Sequence, residues 1–148
     1  MNAESLMTPN PRCVATNDSI SAAAQLMADL DVGMLPVVVD FTSRRLAGVI
    51  TDRDIVIRHV AQGHHYECPA EDAMTREPLF AVEPDDDLET VLAIMRTQKV
   101  RRILVVSPSG RLLGIISQAD LLLHAGPKNR DALEHVLSVI SEPIILQR

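Results

Sequence analysis

The chain has 148 residues, a length that suits one compact domain. A formal net charge of −6 argues against a nucleic-acid backbone or an anionic membrane as main partner, and with no Trp, one Tyr and two Phe there is no aromatic platform for stacking bases. No apolar run is long enough to span a bilayer, Met1-Asn2-Ala3-Glu4 does not open a secretory leader, and Cys13 and Cys68 make no disulfide framework, so a reducing, cytoplasmic setting is expected.

In chain order, the first periodic stretch predicts a helix over about 19–30, capped by Asp18, with Ile20, Ala23, Ala24, Met27 and Leu30 on one face. A β-rich run, Leu35-Pro36-Val37-Val38-Val39, follows, then a turn from Asp40 to Arg45 and a strand from Leu46 to Ile50. That strand leads through Gly48-Val49-Ile50-Thr51-Asp52-Arg53-Asp54 into a second helix over about 52–62, which stops near Gly63. Residues 63–70 read as a linker.

The order then recurs. The acids Asp85-Asp86-Asp87 suit a helix start, and Leu88, Val91, Leu92 and Met95 carry its apolar face. A strand over Ile103 to Val106, a turn at Ser107-Pro108-Ser109-Gly110 and a strand from Leu112 to Ile116 lead into Gly114-Ile115-Ile116-Ser117-Gln118-Ala119-Asp120. A helix over about 118–125 ends at Gly126-Pro127. A last amphipathic helix is predicted over about 129–141 from Leu133, Val136, Leu137 and Ile140, followed by an Ile144-Ile145-Leu146 tail. It lies outside the repeat, and either covers a repeat surface or makes a subunit contact.

Self-comparison aligns Met7-Thr8 with Met74-Thr75, Val37-Val38 with Val105-Val106, Gly48 with Gly114 and Asp54 with Asp120. The match spans about residues 4–62 and 71–125, which divides the chain into repeat 1 (1–66), repeat 2 (67–127) and a C-terminal helical extension (128–148). The expected class is α+β: two tandem β-α-β-β-α repeats, helices on one face of each small sheet. A unit of roughly 60 residues is marginal alone, so two should pack together.

The repeated corner has two readings. Ser or Thr followed three positions later by an acid is a capping box, with Thr51 and Ser117 as caps and Asp54 and Asp120 reaching back. The same corner offers free N–H donors and a hydroxyl to a phosphate, and a carboxylate to the two hydroxyls of a ribose.

A Met-Thr start, a hydrophobic-Pro-Val strand and Gly-x-x-Thr/Ser-x-x-Asp opening a second helix, all in two copies, resemble the CBS domain, two of which form a Bateman module. The resemblance implies a regulatory or sensor module that binds an adenosyl ligand (AMP, ADP, ATP or S-adenosylmethionine) in clefts between the repeats. It places Thr51 and Ser117 on phosphate and Asp54 and Asp120 on ribose. It gives adenine to the lead-in of the other repeat's strand: Val32, Gly33 and Met34 for the Ser117/Asp120 cleft, Val100, Arg101 and Arg102 for the Thr51/Asp54 cleft. Arg53, Arg101 and Arg102 would make the Thr51 cleft the tighter phosphate site. Leu104 and Gln118-Ala119 depart from repeat 1, where Pro36 and Asp52-Arg53 stand. The resemblance also implies a homodimer, with the helices near 19–30 and 87–98 as candidate surfaces, and an effector protein to carry the output.

His59, His64, His65 and Cys68 lie close in sequence but match no strong zinc spacing, and read as solvated linker residues; no metal site or cofactor is assigned. Arg101-Arg102 also suits a charged strand edge. No nucleophile turn, phosphate-cradling Gly-x-x-x-x-Gly-Lys loop or His-Glu-x-x-His is present, so an enzyme is not expected. The alternative to a nucleotide sensor is an interaction module with empty or metal-containing clefts.

Overall fold

The computed structural model describes residues 1–141; the Ile144-Ile145-Leu146 tail lies outside them. The elements run α1 (Ala3–Leu6), β1 (Thr8–Pro9), β2 (Val14–Ala15), α2 (Ile20–Leu30), β3 (Met34–Val38), β4 (Leu46–Thr51) and α3 (Asp52–Asp54), which continues as π-helical turns over Ile55–Val60. Then come β5 (Ala81–Val82), α4 (Leu88–Gln98), β6 (Arg102–Val106), β7 (Leu112–Ser117), α5 (Gln118–His124) and α6 (Arg130–Ile140). The α+β class and the doubled β-α-β-β-α order are both present.

Helix starts follow local chemistry. Ser19, not Asp18, caps α2: its hydroxyl accepts from Ala22 N at 3.0 Å. Asp18 is drawn back to the preceding turn, where its carboxylate accepts from Ala15 N at 2.8 Å. In repeat 2 Asp87 is itself the cap of α4, accepting from both the backbone N and the hydroxyl of Thr90 at 2.8 Å. These bonds hold the Asp87 carboxyl below its usual range. Both helices end on a left-handed residue, Asp31 with φ 53° and Lys99 with φ 52°. The second helix of repeat 1 starts as expected but widens to π turns, with Ala61 N bonding to Val56 O at 2.8 Å. Its β-branched run, Ile55-Val56-Ile57, is a poorer α former than Leu121-Leu122-Leu123 in α5.

The chain divides into two compact units that interleave along the sequence. One, the repeat-1 unit, holds Pro11–Leu79 and Pro108–Leu112; the other, the repeat-2 unit, holds Met1–Asn10, Phe80–Ser107 and the described residues from Leu113 onward. The repeat-1 unit contains the sheet β2-β3-β4, with β2 parallel and β4 antiparallel to β3. Val14, Ile20, Ala23, Met27, Leu35, Val37, Ile50 and Met74 are among the side chains of its core. The repeat-2 unit contains the sheet β1-β7-β6-β5. Its core gathers Leu6, Val91, Met95, Ile103, Val105, Ile116 and Leu121, and α6 adds Leu133, Val136 and Ile140.

The extension therefore covers a repeat surface: α6 packs on α4 and α5. Its cover leaves α4, one of the two expected dimer surfaces, with no exposed large apolar side chain. No helix of the described residues is long and apolar enough to cross a membrane. Both cysteines are free thiols, and burial pushes the Cys13 thiol up.

Two Met-Thr corners as the candidate functional site

Each corner forms where an antiparallel strand runs out and a helix begins. At the end of β4, Thr51 is extended (φ −112°, ψ 161°) and its Oγ1 accepts from Asp54 N at 3.0 Å. Asp54 Oδ2 accepts in return from Thr51 N at 3.0 Å. At the end of β7, Ser117 Oγ accepts from Asp120 N at 3.2 Å and Asp120 Oδ2 accepts from Ser117 N at 2.7 Å. The capping box is thus formed twice.

The Met-Thr pairs complete the corners, each on the opposite repeat's unit. Met74-Thr75 lies along β4, with Thr75 N donating to Val49 O at 2.7 Å and Val49 N donating to Thr75 O at 3.0 Å. Thr75 Oγ1 then reaches Asp54 Oδ1 at 3.3 Å and Oδ2 at 3.2 Å. Met7-Thr8 lies along β7, Thr8 facing Ile115 and Pro9 facing Gly114. Thr8 Oγ1 donates to Asp120 Oδ1 at 2.9 Å. The two matched glycines admit these strands. A Cβ on Gly48 would stand 2.5 Å from Thr75 O, and one on Gly114 would overlap the Met7 side chain.

The corners differ in detail. Asp54 is buried, and Arg58, one turn on, brings Nε to 3.7 Å from Oδ1 while its Nη1 donates to Met74 O at 3.2 Å. Asp120 is half-buried, and the matched His124 turns Nδ1 to the backbone carbonyl of Asp120 at 2.9 Å. Ser117 Oγ donates to Asp120 Oδ2 at 2.7 Å. The Thr51 hydroxyl donates to no group among the described residues, so its proton is open to a ligand.

Thr51, Arg53, Asp54, Val32, Gly33 and Met34 all lie in the repeat-1 unit. Within it, β3 and β4 bring Met34 opposite Thr51, and Asp52 N donates to Gly33 O at 2.9 Å. Val100, Arg101, Arg102, Ser117 and Asp120 lie in the repeat-2 unit. Arg53, Arg101 and Arg102 are exposed and have no ion-pair partner among the described residues. Arg58 was not singled out from the sequence, although its spacing four residues after Asp54 on a helix is a pairing signal.

The histidine stretch differs from the expectation of a solvated linker. His59 is on the π-helical segment and only 1 % exposed, its Nε2 donating to His65 O at 2.6 Å. The stretch also fastens α2, with Ile20 N donating to Cys68 O and Ser21 N to Tyr66 O. Among the described residues no group of three or more His, Cys, Asp or Glu side chains is placed to hold a metal ion.

Comparison with known proteins follows the same division. The CBS domain profile matches residues 3–59 and 70–126. Hypoxic response protein 1 of Mycobacterium tuberculosis is 33 % identical over 144 residues, spanning 97 % of this chain and 96 % of that protein. Among solved structures, Hypoxic Response Protein I with two coordinated zinc ions superposes with a TM-score of 0.72 at 33 % identity, covering 84 % of this chain and 98 % of that one. CBSX2 in complex with AMP superposes with a TM-score of 0.71 at 28 % identity, covering 84 % and 95 %.

Proposed function

We propose that this chain, which belongs to the CBS-domain family and carries two of its domains in tandem, is a regulatory module that binds an adenosyl ligand at its Met-Thr corners. The observation that carries the reading is the Thr51 corner. A hydroxyl with an undirected proton sits at a helix start two positions before the exposed Arg53, and a fixed carboxylate follows three residues on. A phosphate accepts from hydroxyl and guanidinium, and a ribose diol donates to the carboxylate. Val32-Gly33-Met34 and Val100-Arg101-Arg102 are the strand lead-ins that the family pattern gives to adenine in this reading. CBSX2 with AMP supports the ligand class.

Ligand favours one state of the module by its differential affinity, and the output passes to a second copy or an effector protein. The corner helices favour such a contact: Val56, Ile57 and Val60 on one and Leu122 and Leu123 on the other are exposed apolar residues. This feature also supports the alternative, an interaction module whose corners serve only as caps.

Calorimetric titration of AMP, ATP and S-adenosylmethionine separates the two. Under the nucleotide reading, Asp54→Ala removes the tighter phase and weakens ribonucleotide binding by about 1.5–3 kcal/mol, a charged hydrogen bond. Asp120→Ala leaves that phase in place. Under the capping reading, no ligand binds and Asp54→Ala only lowers stability by about 0.5–2 kcal/mol. Loss of the tighter phase in Asp120→Ala alone reverses the assignment of the corners.

A further inference from the structure

We infer that Thr75 and Thr8 are positioning residues of the ligand corners, acting through the carboxylates of Asp54 and Asp120; this rests on the adenosyl reading above. A carboxylate recognises a diol only if its plane is fixed and lone pairs remain open. The capping bond fixes one oxygen at each corner, Oδ2, through the backbone N of Thr51 or Ser117. A single bond of this kind leaves rotation about the last side-chain torsion, which is broad for aspartate. The threonine hydroxyl is the second anchor. Thr8 takes Oδ1 of Asp120, and Thr75 spans both oxygens of Asp54.

A carboxylate accepts at about four lone-pair sites. Asp120 receives Ser117 N, Ser117 Oγ and Thr8 Oγ1, which leaves room for a further donor on Oδ1. Asp54 receives Thr51 N and Thr75 Oγ1, with Arg58 at the longer distance. Each carboxylate is therefore held and still able to accept.

The hydroxyls are not needed to dock their strands. Thr75 exchanges two backbone bonds with Val49, and Asn10 N donates to Leu113 O at 3.0 Å beside Thr8. Met74 is a core residue, and Met7 packs against the other core. The same hydroxyl-to-carboxylate contact also arises twice, from segments far apart in the sequence, at the matched acids Asp54 and Asp120.

The test replaces each hydroxyl by a methyl of the same shape, Thr75→Val and Thr8→Val, with Thr75→Ser and Thr8→Ser as rescue variants. AMP and 2′-deoxy-AMP are titrated into each by calorimetry, and thermal melts are recorded. The expected result is a loss of about tenfold in AMP affinity at the altered corner, the low end of what one hydrogen bond to a charged group is worth. The preference for AMP over its 2′-deoxy form falls with it, and serine restores both. Valine variants that keep the wild-type preference and lose only melting temperature overturn the inference while leaving the adenosyl reading intact. A wild-type protein that binds neither nucleotide overturns both.

Discussion

At the Ser117 corner the capping hydroxyl donates to its own aspartate; at the Thr51 corner it does not. Asp54 is buried beside a permanent cation, Arg58, while Asp120 is half-buried and its matched His124 bonds to the main chain. One backbone plan thus yields two chemical environments. The shared part, strand end, capping box and Met-Thr edge, is what the fold needs. Under the nucleotide reading proposed above, the parts that differ would favour an anion at the Thr51 corner.

The surroundings differ as well, and the largest test of that is α6, which belongs to the core of the repeat-2 unit. Leu133→Ala should cost about 2–5 kcal/mol, as for a buried leucine, measured by chemical denaturation. A cost below that range would mean α6 is a loose cover and the units are more alike than their cores indicate. The glycines sharpen the comparison at the corners themselves. Gly48→Ala meets a backbone carbonyl that is tied to β4, whereas Gly114→Ala meets the Met7 side chain, whose Sδ can turn away but whose Cβ, at 2.9 Å, moves only with its strand. The expected costs are about 2–3 kcal/mol for Gly48→Ala and about 1–2 kcal/mol for Gly114→Ala. Equal costs would show that the Met7 strand is held as rigidly as the Met74 strand.

The smallest effect concerns the helix caps. Asp87 has its carboxyl held low by the Thr90 bonds, so its contribution is present above the ordinary aspartate range and is lost as pH falls through the lowered value. Ser19 does not titrate. Asp87→Asn should therefore flatten the acid limb of the melting-temperature profile, and Ser19→Ala should shift the profile down without reshaping it. An unchanged acid limb in Asp87→Asn would remove this difference between the units.

Elements set by local pattern were legible in the sequence. The apolar spacing of α2, α4 and α6, the corner capping boxes and the repeat itself all leave short-range signals. The cap of α2 was misplaced by one residue because Asp18 and Ser19 both suit the role, and only a turn partner at Ala15 decides between them. Burial of His59 was hidden because its partner is a backbone carbonyl in a stretch with no pattern. The Met-Thr motif was visible as a repeated pair, but its destination was not. A hydroxyl that bonds 112 positions away leaves no trace in a local window.

That separation bears on how the chain assembles. Thr75 meets Asp54 across 21 positions, whereas Thr8 meets Asp120 across 112. Closing the longer loop costs about 1.5 kcal/mol more in chain entropy. During synthesis most of the repeat-1 unit emerges before its counterpart, while residues 1–10 wait for a sheet whose β7 is made more than a hundred residues later. The two corners, so alike in the finished molecule, thus differ in the loop each must close, and the Thr51 corner is the one whose parts are all made first.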